Sequence, residues 1–134
     1  MDAITLEVMR NRIFAITEEM GAALIRTAYS TNIKDRRDCS CALFNINGDT
    51  IAQAEHIPVH SGVLPCGVKG ALKHVDKDAL KPGDAIMHND PFIGGTHLPD
   101  IIIFSPIFYN GKLVAFVGNL AHHVDVGGKV PGSL

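Results

Sequence analysis

The chain has 134 residues, of which 46% are hydrophobic and 19% charged, and its formal net charge is -2. Its 12 basic and 14 acidic side chains exclude the clustered positive charge of a nucleic-acid-binding surface. No apolar run approaches the roughly 20 residues of a membrane span, and charges within the first helix exclude the apolar centre of a signal peptide. The apolar content excludes disorder and suffices for one core, so we expect a single domain over residues 1–134.

The three cysteines predict free thiols. Cys39 and Cys41 are too close in sequence for normal disulfide geometry, and Cys66 adds no second pair for a zinc site. Free, buried thiols are typical of a reducing compartment, so we expect a cytoplasmic protein.

The first half of the chain predicts a long helix and then a hairpin. Apolar residues recur at three- and four-residue spacing over residues 3–30, and Asp2 is a plausible N-cap. Residues 40–46 and 50–54 flank Asn47-Gly48, which is a strong turn signal. Pro58 predicts that residues 55–60 are extended, because proline disrupts a helix that crosses it.

The second half predicts a second helix and a longer hairpin. The helix is expected over residues 63–75, opened by Ser61, and a short strand over residues 85–88. Two prolines and a glycine pair make residues 89–100 a structured loop, and residues 101–109 and 112–120 form a hairpin around Asn110-Gly111. This order predicts an α+β fold, a mainly antiparallel sheet with both helices packed on one face.

The strongest candidate site lies at the open end of this second hairpin. His97 and Asp100 precede its first strand, and His122, His123 and Asp125 follow its second, so the two groups should meet at one end of the sheet. Imidazole and carboxylate ligands suit a catalytic Mn, Fe or Zn ion. Because neighbouring strand residues point to opposite faces, His122 and His123 should not bind the same ion. The alternative is that these side chains only satisfy backbone groups.

Other polar clusters give weaker indications. Residues 35–38, DRRD, could supply a carboxylate or an anion clamp, or could be a solvated charge cluster. His56 and His60 flank Pro58, which excludes a helical ligand pair, so they have no site role unless their loop folds over the site. His74 and His88 are given no role. No phosphate-binding glycine loop is present, so ATP binding by this chain alone is unsupported.

Four motifs together resemble the amino-terminal part of the hydantoinase B/5-oxoprolinase family. They are IKDRRDCSCAL at residues 33–43, QAEHIPVH at 53–60, NDPFIGGTHLPD at 89–100 and HHVDVGG at 122–128. The family also includes the large subunits of acetone and acetophenone carboxylases. The motifs span nearly the whole chain, in order.

The resemblance implies a division of labour between subunits. A hydantoinase A-type subunit would bind ATP and phosphorylate the substrate, and the B-type subunit would complete hydrolysis of a cyclic amide. It implies a divalent metal, Mn or Zn, held by His97, Asp100, His122 and Asp35. Asp38 is the alternative fourth ligand, because Asp35 stands where family members often have Glu. His123 and Asp125 would support the ligands or transfer protons.

The family's length implies that this chain is the amino-terminal portion of a longer subunit, truncated or split after residue 134. We then expect it to be inactive alone and to assemble with the rest of the B-type subunit and with the A-type subunit in an oligomer. Two alternatives remain open: a non-catalytic assembly module, and a subunit of an acetone- or acetophenone-type carboxylase.

Overall fold

The computed structural model describes residues 2–55 and 57–133. Helices and strands follow in the order α1 (Ala3–Thr27), α2 (Thr31–Lys34), β1 (Cys39–Phe44), β2 (Thr50–Glu55), α3 (His60–Leu72), β3 (Ile86–His88), β4 (Asp100–Tyr109) and β5 (Lys112–His122). A 3-10 turn at Lys77–Ala79 lies between α3 and β3. The α+β fold class is confirmed.

The five strands form one antiparallel sheet in the order β2-β1-β5-β4-β3. The predicted hairpin of β4 and β5 turns at Asn110 and Gly111, whose φ angles of 49° and 75° suit a tight hairpin turn. Strand β1 pairs with β5 although more than fifty residues separate them, and this pairing places the start of β1 beside the end of β5.

The main core lies between α3 and one face of the sheet. Leu64 and Val68 of α3 pack against Phe44, Phe104 and Phe116 of the strands. The prediction that both helices share this face was wrong. Alternate residues of the same strands, Cys39 and Ala121, pack with α1 and α2 on the opposite face. Cys39 and Cys41 are buried as expected, whereas Cys66 is exposed.

Helix α1 is shorter than predicted and buries a different face. It ends at Thr27, where the hydroxyl donates to the carbonyl of Ala23, and a separate turn forms α2. The predicted N-cap is confirmed, since the Asp2 carboxylate accepts a hydrogen bond from the Thr5 amide. The buried positions are the small residues Thr17 and Gly21, which let the helix approach the sheet closely.

The predicted apolar face of α1 is largely exposed. Leu6 and Met9 are 55% and 49% exposed, and they line an open cavity together with Ile51 of β2. In the described residues, no helix is long and apolar enough to cross a membrane.

Two predictions around Pro58 were wrong. Residues 57–59 form a turn where an extended segment was expected, and α3 begins at His60, three residues before the predicted start. The reason is that proline disrupts a helix interior yet suits its entry: the Pro58 carbonyl accepts from the Ser61 amide. His60 therefore lies at a helix start, facing the sheet.

Candidate metal-binding site

Strands β4 and β5 bring Asp100 and His122 together. Asp100, the first residue of β4, pairs directly with His122, the last residue of β5, so both side chains project from the same face of the sheet. The Asp100 side chain is 2% exposed and the His122 side chain 22%. The predicted convergence of the hairpin ends is thus observed.

The loop between β3 and β4 brings His97 to the same place. The Asp90 carboxylate accepts from the Phe92 amide, and the Asn89 side-chain amide donates to the Leu98 carbonyl, which closes the loop. The middle of the loop rests on α3: Ile93 lies against Gly70, and Gly94 lies against the main chain of Cys66. These contacts leave no room for a side chain on either glycine.

Three ligand atoms form a tight triangle. Nδ1 of His122 lies 2.8 Å from Oδ1 of Asp100 and 2.9 Å from Nε2 of His97. Nε2 of His97 lies 3.6 Å from the same Asp100 oxygen. A proton on His122 Nδ1 would be shared between Asp100 and His97, whereas a proton on His97 Nε2 could be donated to His122 Nδ1 instead.

The same three groups could also hold a divalent cation. Ligand atoms about 2.0–2.2 Å from a common ion stand roughly 3.0–3.5 Å apart, close to the observed triangle. Two imidazole nitrogens and one carboxylate suit Mn, Fe or Zn. His97 is half exposed, and a cavity of about 400 Å³ opens beside both histidines, lined by the apolar residues Pro91, Leu98 and Val124.

Asp38, Ser40 and His60 lie next to this cluster, at the same end of the sheet. The Asp38 carbonyl accepts a hydrogen bond of 2.9 Å from the His122 amide. His60 is 2% exposed, with Nδ1 3.1 Å from the Ser40 hydroxyl and Nε2 3.4 Å from Oδ1 of Asp38. Burial lowers the pKa of His60, against the opposing charges of Asp38 and Asp100.

Sequence reasoning left His60 and Ser40 out of the site. The available signal was alternation along β1, which places Ser40 on the face of Ala42, opposite to Cys39. The direction of His60 depends on the turn at Pro58, which was predicted to be extended. His56, the other histidine of that motif, lies outside the described residues.

Three predicted site residues are not brought into the triangle. Asp35 is exposed at the end of α2, and residues 36 and 37 separate it from Asp38 along the chain. The His123 side chain lines a separate cavity with Ile101 and Asn119 on the α1 face of the sheet. Asp125 organises its own loop by accepting from the amides of Gly127 and Gly132 and from the Ser133 hydroxyl. Hydrogen bonding, first from Gly127, lowers the pKa of Asp125.

Two imidazoles and a buried carboxylate lie at one end of the sheet, beside an open cavity. These features define a candidate metal-binding catalytic domain. The sequence profile of the hydantoinase B/oxoprolinase family matches residues 2–134. The chain belongs to this family.

Two relatives show how the chain compares in sequence. It is 47% identical to 5-oxoprolinase 1 of Arabidopsis thaliana over 99% of this chain and 10% of that protein. It is 36% identical to a Pseudomonas protein named as the B component of a D-/L-hydantoinase, over 99% of this chain and 23% of that protein. The chain spans only about a tenth to a quarter of the curated relatives it matches.

Two solved structures share the fold. The ATP-dependent caprolactamase of Pseudomonas jessenii has a TM-score of 0.88 at 36% identity, covering 98% of this chain and 23% of the other. Nucleotide-free acetone carboxylase has a TM-score of 0.87 at 26% identity, covering 98% and 18% respectively.

Proposed function

We propose that this chain forms the metal-binding part of an ATP-dependent enzyme that hydrolyses cyclic amides, with ATP bound by an A-type partner subunit. The observation that carries the proposal is the triangle of His97, Asp100 and His122. Relatives named as a 5-oxoprolinase and a caprolactamase support the substrate class, because both names denote enzymes that act on lactams.

Asp100 and His97 have distinct tasks in the triangle. Asp100 is buried and keeps its carboxylate within hydrogen-bond distance of His122, which fixes the ring of that histidine. His97 is half exposed and faces the cavity, where a substrate can approach. The apolar wall of Pro91, Leu98 and Val124 can hold the methylene groups of a lactam ring while its amide points toward the histidines.

A fourth ligand is best supplied by Asp38. Its carbonyl accepts a hydrogen bond from the His122 amide, and its partly buried carboxylate lies beside His60. The Asp35 side chain, in contrast, is exposed. A bound Mn or Zn ion would supply Lewis-acid polarisation of a carbonyl or activation of a water molecule. The roles predicted for Asp35, His123 and Asp125 stay predictions.

A carboxylase subunit is the second candidate, favoured by the similarity to acetone carboxylase. The greater identity to the caprolactamase, 36% against 26%, favours hydrolysis. A non-catalytic assembly module would share the fold but would have no need for a ligand triangle.

The test is an activity assay on the full protein with its A-type partner. 5-Oxoproline, caprolactam and hydantoin are supplied with ATP, and ring-opened product is measured. Acetone with bicarbonate tests the carboxylase reaction. We expect lactam hydrolysis that Asp100→Asn lowers by at least about 100-fold, since losing a ligand should cost no less than losing a group that orients one, which costs about 10–100-fold. Asp78→Asn, at an exposed position, is the matched control.

The outcomes separate the candidates. Lactam hydrolysis that needs Asp100 supports the proposal. Carboxylation without hydrolysis supports the second candidate. Hydrolysis that is unchanged in Asp100→Asn contradicts the role of the triangle, and no reaction in any combination supports the assembly module.

A further inference from the structure

His60 is buried between two polar groups at the edge of the ligand triangle. It is the first residue of α3, and its ring reaches across to β1. Ser40, which it contacts through Nδ1, is completely buried, and Asp38, which lies beside Nε2, is partly exposed. The imidazole therefore contacts both Ser40, near the start of β1, and Asp38, just before β1 begins.

The two ring nitrogens of His60 face different neighbours. Nδ1 lies 3.1 Å from the Ser40 hydroxyl, within hydrogen-bond distance. Nε2 lies 3.4 Å from Oδ1 of Asp38, which is ion-pair distance, and a carboxylate there can only accept a proton from the ring. The ring thus contacts Ser40 on one side and the Asp38 carboxylate on the other.

We propose that His60 is a positioning residue that orients the Asp38 carboxylate toward the metal held by His97, Asp100 and His122. This inference rests on the proposed function, in which Asp38 is the fourth ligand. Ligating carboxylates are generally held by hydrogen bonds from outside the ligand shell, and losing such a partner commonly weakens metal binding about 10–100-fold.

The contact between His60 and Asp38 can affect metal binding because Asp38 is connected to the triangle through its main chain. The Asp38 carbonyl accepts from the His122 amide, which fixes the main chain, whereas the Asp38 carboxylate lies 3.4 Å from Nε2 of His60. Removing the imidazole would free the carboxylate to rotate toward solvent. The main-chain bond, and hence His122, would stay in place.

The test is the Mn(II) affinity of the full protein, measured by calorimetry together with the Mn(II) electron paramagnetic resonance spectrum. We expect His60→Gln to weaken Mn(II) binding about 10–100-fold and to change the spectrum. His74→Gln, an exposed histidine just beyond α3, is the matched control and should bind as wild type does. In an Asp38→Asn background, His60→Gln should cause no further loss, because its effect passes through that carboxylate.

Ser40→Ala provides a milder second variant if His60→Gln does not fold. It removes the hydroxyl that contacts Nδ1 of His60 and should weaken Mn(II) binding less, again only when Asp38 is present. The inference is overturned if the folded His60 or Ser40 variant binds Mn(II) with wild-type affinity. It is also overturned if the loss of affinity in either variant adds to the loss caused by Asp38→Asn. Either result leaves the proposed metal site itself intact. Failure of the wild type to bind Mn(II) would overturn the metal assignment and this inference with it.

Discussion

Replacing Gly94 with alanine should detach the loop that carries His97. An ideal Cβ at this position would lie 2.6 Å from the carbonyl carbon of Cys66 and 2.7 Å from the amide nitrogen of Gly67. These are main-chain atoms of α3, so they cannot rotate away as a side chain can. The φ angle of 141° adds strain for any residue with a Cβ.

The cost follows from these two effects. Overpacking against a fixed backbone costs about 1–3 kcal/mol, and backbone strain at such a φ adds about 1–3 kcal/mol. We therefore expect Gly94→Ala to lower the free energy of unfolding by about 2–6 kcal/mol, or the loop to lift from α3. Either response displaces His97 and should weaken Mn(II) binding.

Gly83→Ala is the matched control. Its φ is +95°, so it carries comparable strain, but nothing lies within 4 Å of the added Cβ. Urea unfolding and Mn(II) titration of both variants separate the clash from the strain. The reasoning is refuted if Gly94→Ala is no less stable than Gly83→Ala and binds Mn(II) with equal affinity.

Two further predictions concern α3 and β3. Gly62→Ala, in α3, places its Cβ in open space and should stabilise the protein by about 0.5–1 kcal/mol. Gly67→Ala, in the same helix, should destabilise the protein because its Cβ clashes with Ile102. Thermal unfolding of both variants compares the two effects. At the end of β3, burial lowers the pKa of His88 from its ordinary 6.5, and the nearby Gly67 carbonyl only partly offsets this. The His88 ring nitrogens have no partner of hydrogen-bond geometry among the described residues. Below pH 6.5, the unfolded chain therefore binds a proton at His88 that the folded chain excludes. This difference lowers the free energy of unfolding as the pH falls below 6.5, and it has no effect above that pH. His88→Leu should reduce the loss of stability in urea between about pH 8 and about pH 5, and an unchanged loss would contradict this assignment.

The part of the candidate site on the β4–β5 hairpin was predictable, because the sequence of the turn determines the register in which the two strands pair. The Asn110-Gly111 turn sets the pairing of β4 with β5, and that pairing alone places Asp100 opposite His122. His97 follows because it lies only three residues before Asp100 in the chain. A sequence pattern therefore suffices to predict three of the ligand atoms, as long as they belong to one hairpin and its entry loop.

The rest depends on contacts between distant segments. His60 reaches the site only because β1 pairs with β5 and α3 crosses the same face, neither of which leaves a local signal. The face of α1 was mispredicted for a related reason. Hydrophobic spacing identified a helix, but the small residues Thr17 and Gly21 determine which side approaches the sheet.

Metal content tests the central claim most directly. The full protein is stripped with a chelator, reloaded with Mn or Zn, desalted and analysed for bound metal, beside a His97→Ala/His122→Ala double variant and the exposed-site control His74→Ala. The account predicts that the wild type and the control retain metal and that the double variant does not. Equal metal in all three would contradict it.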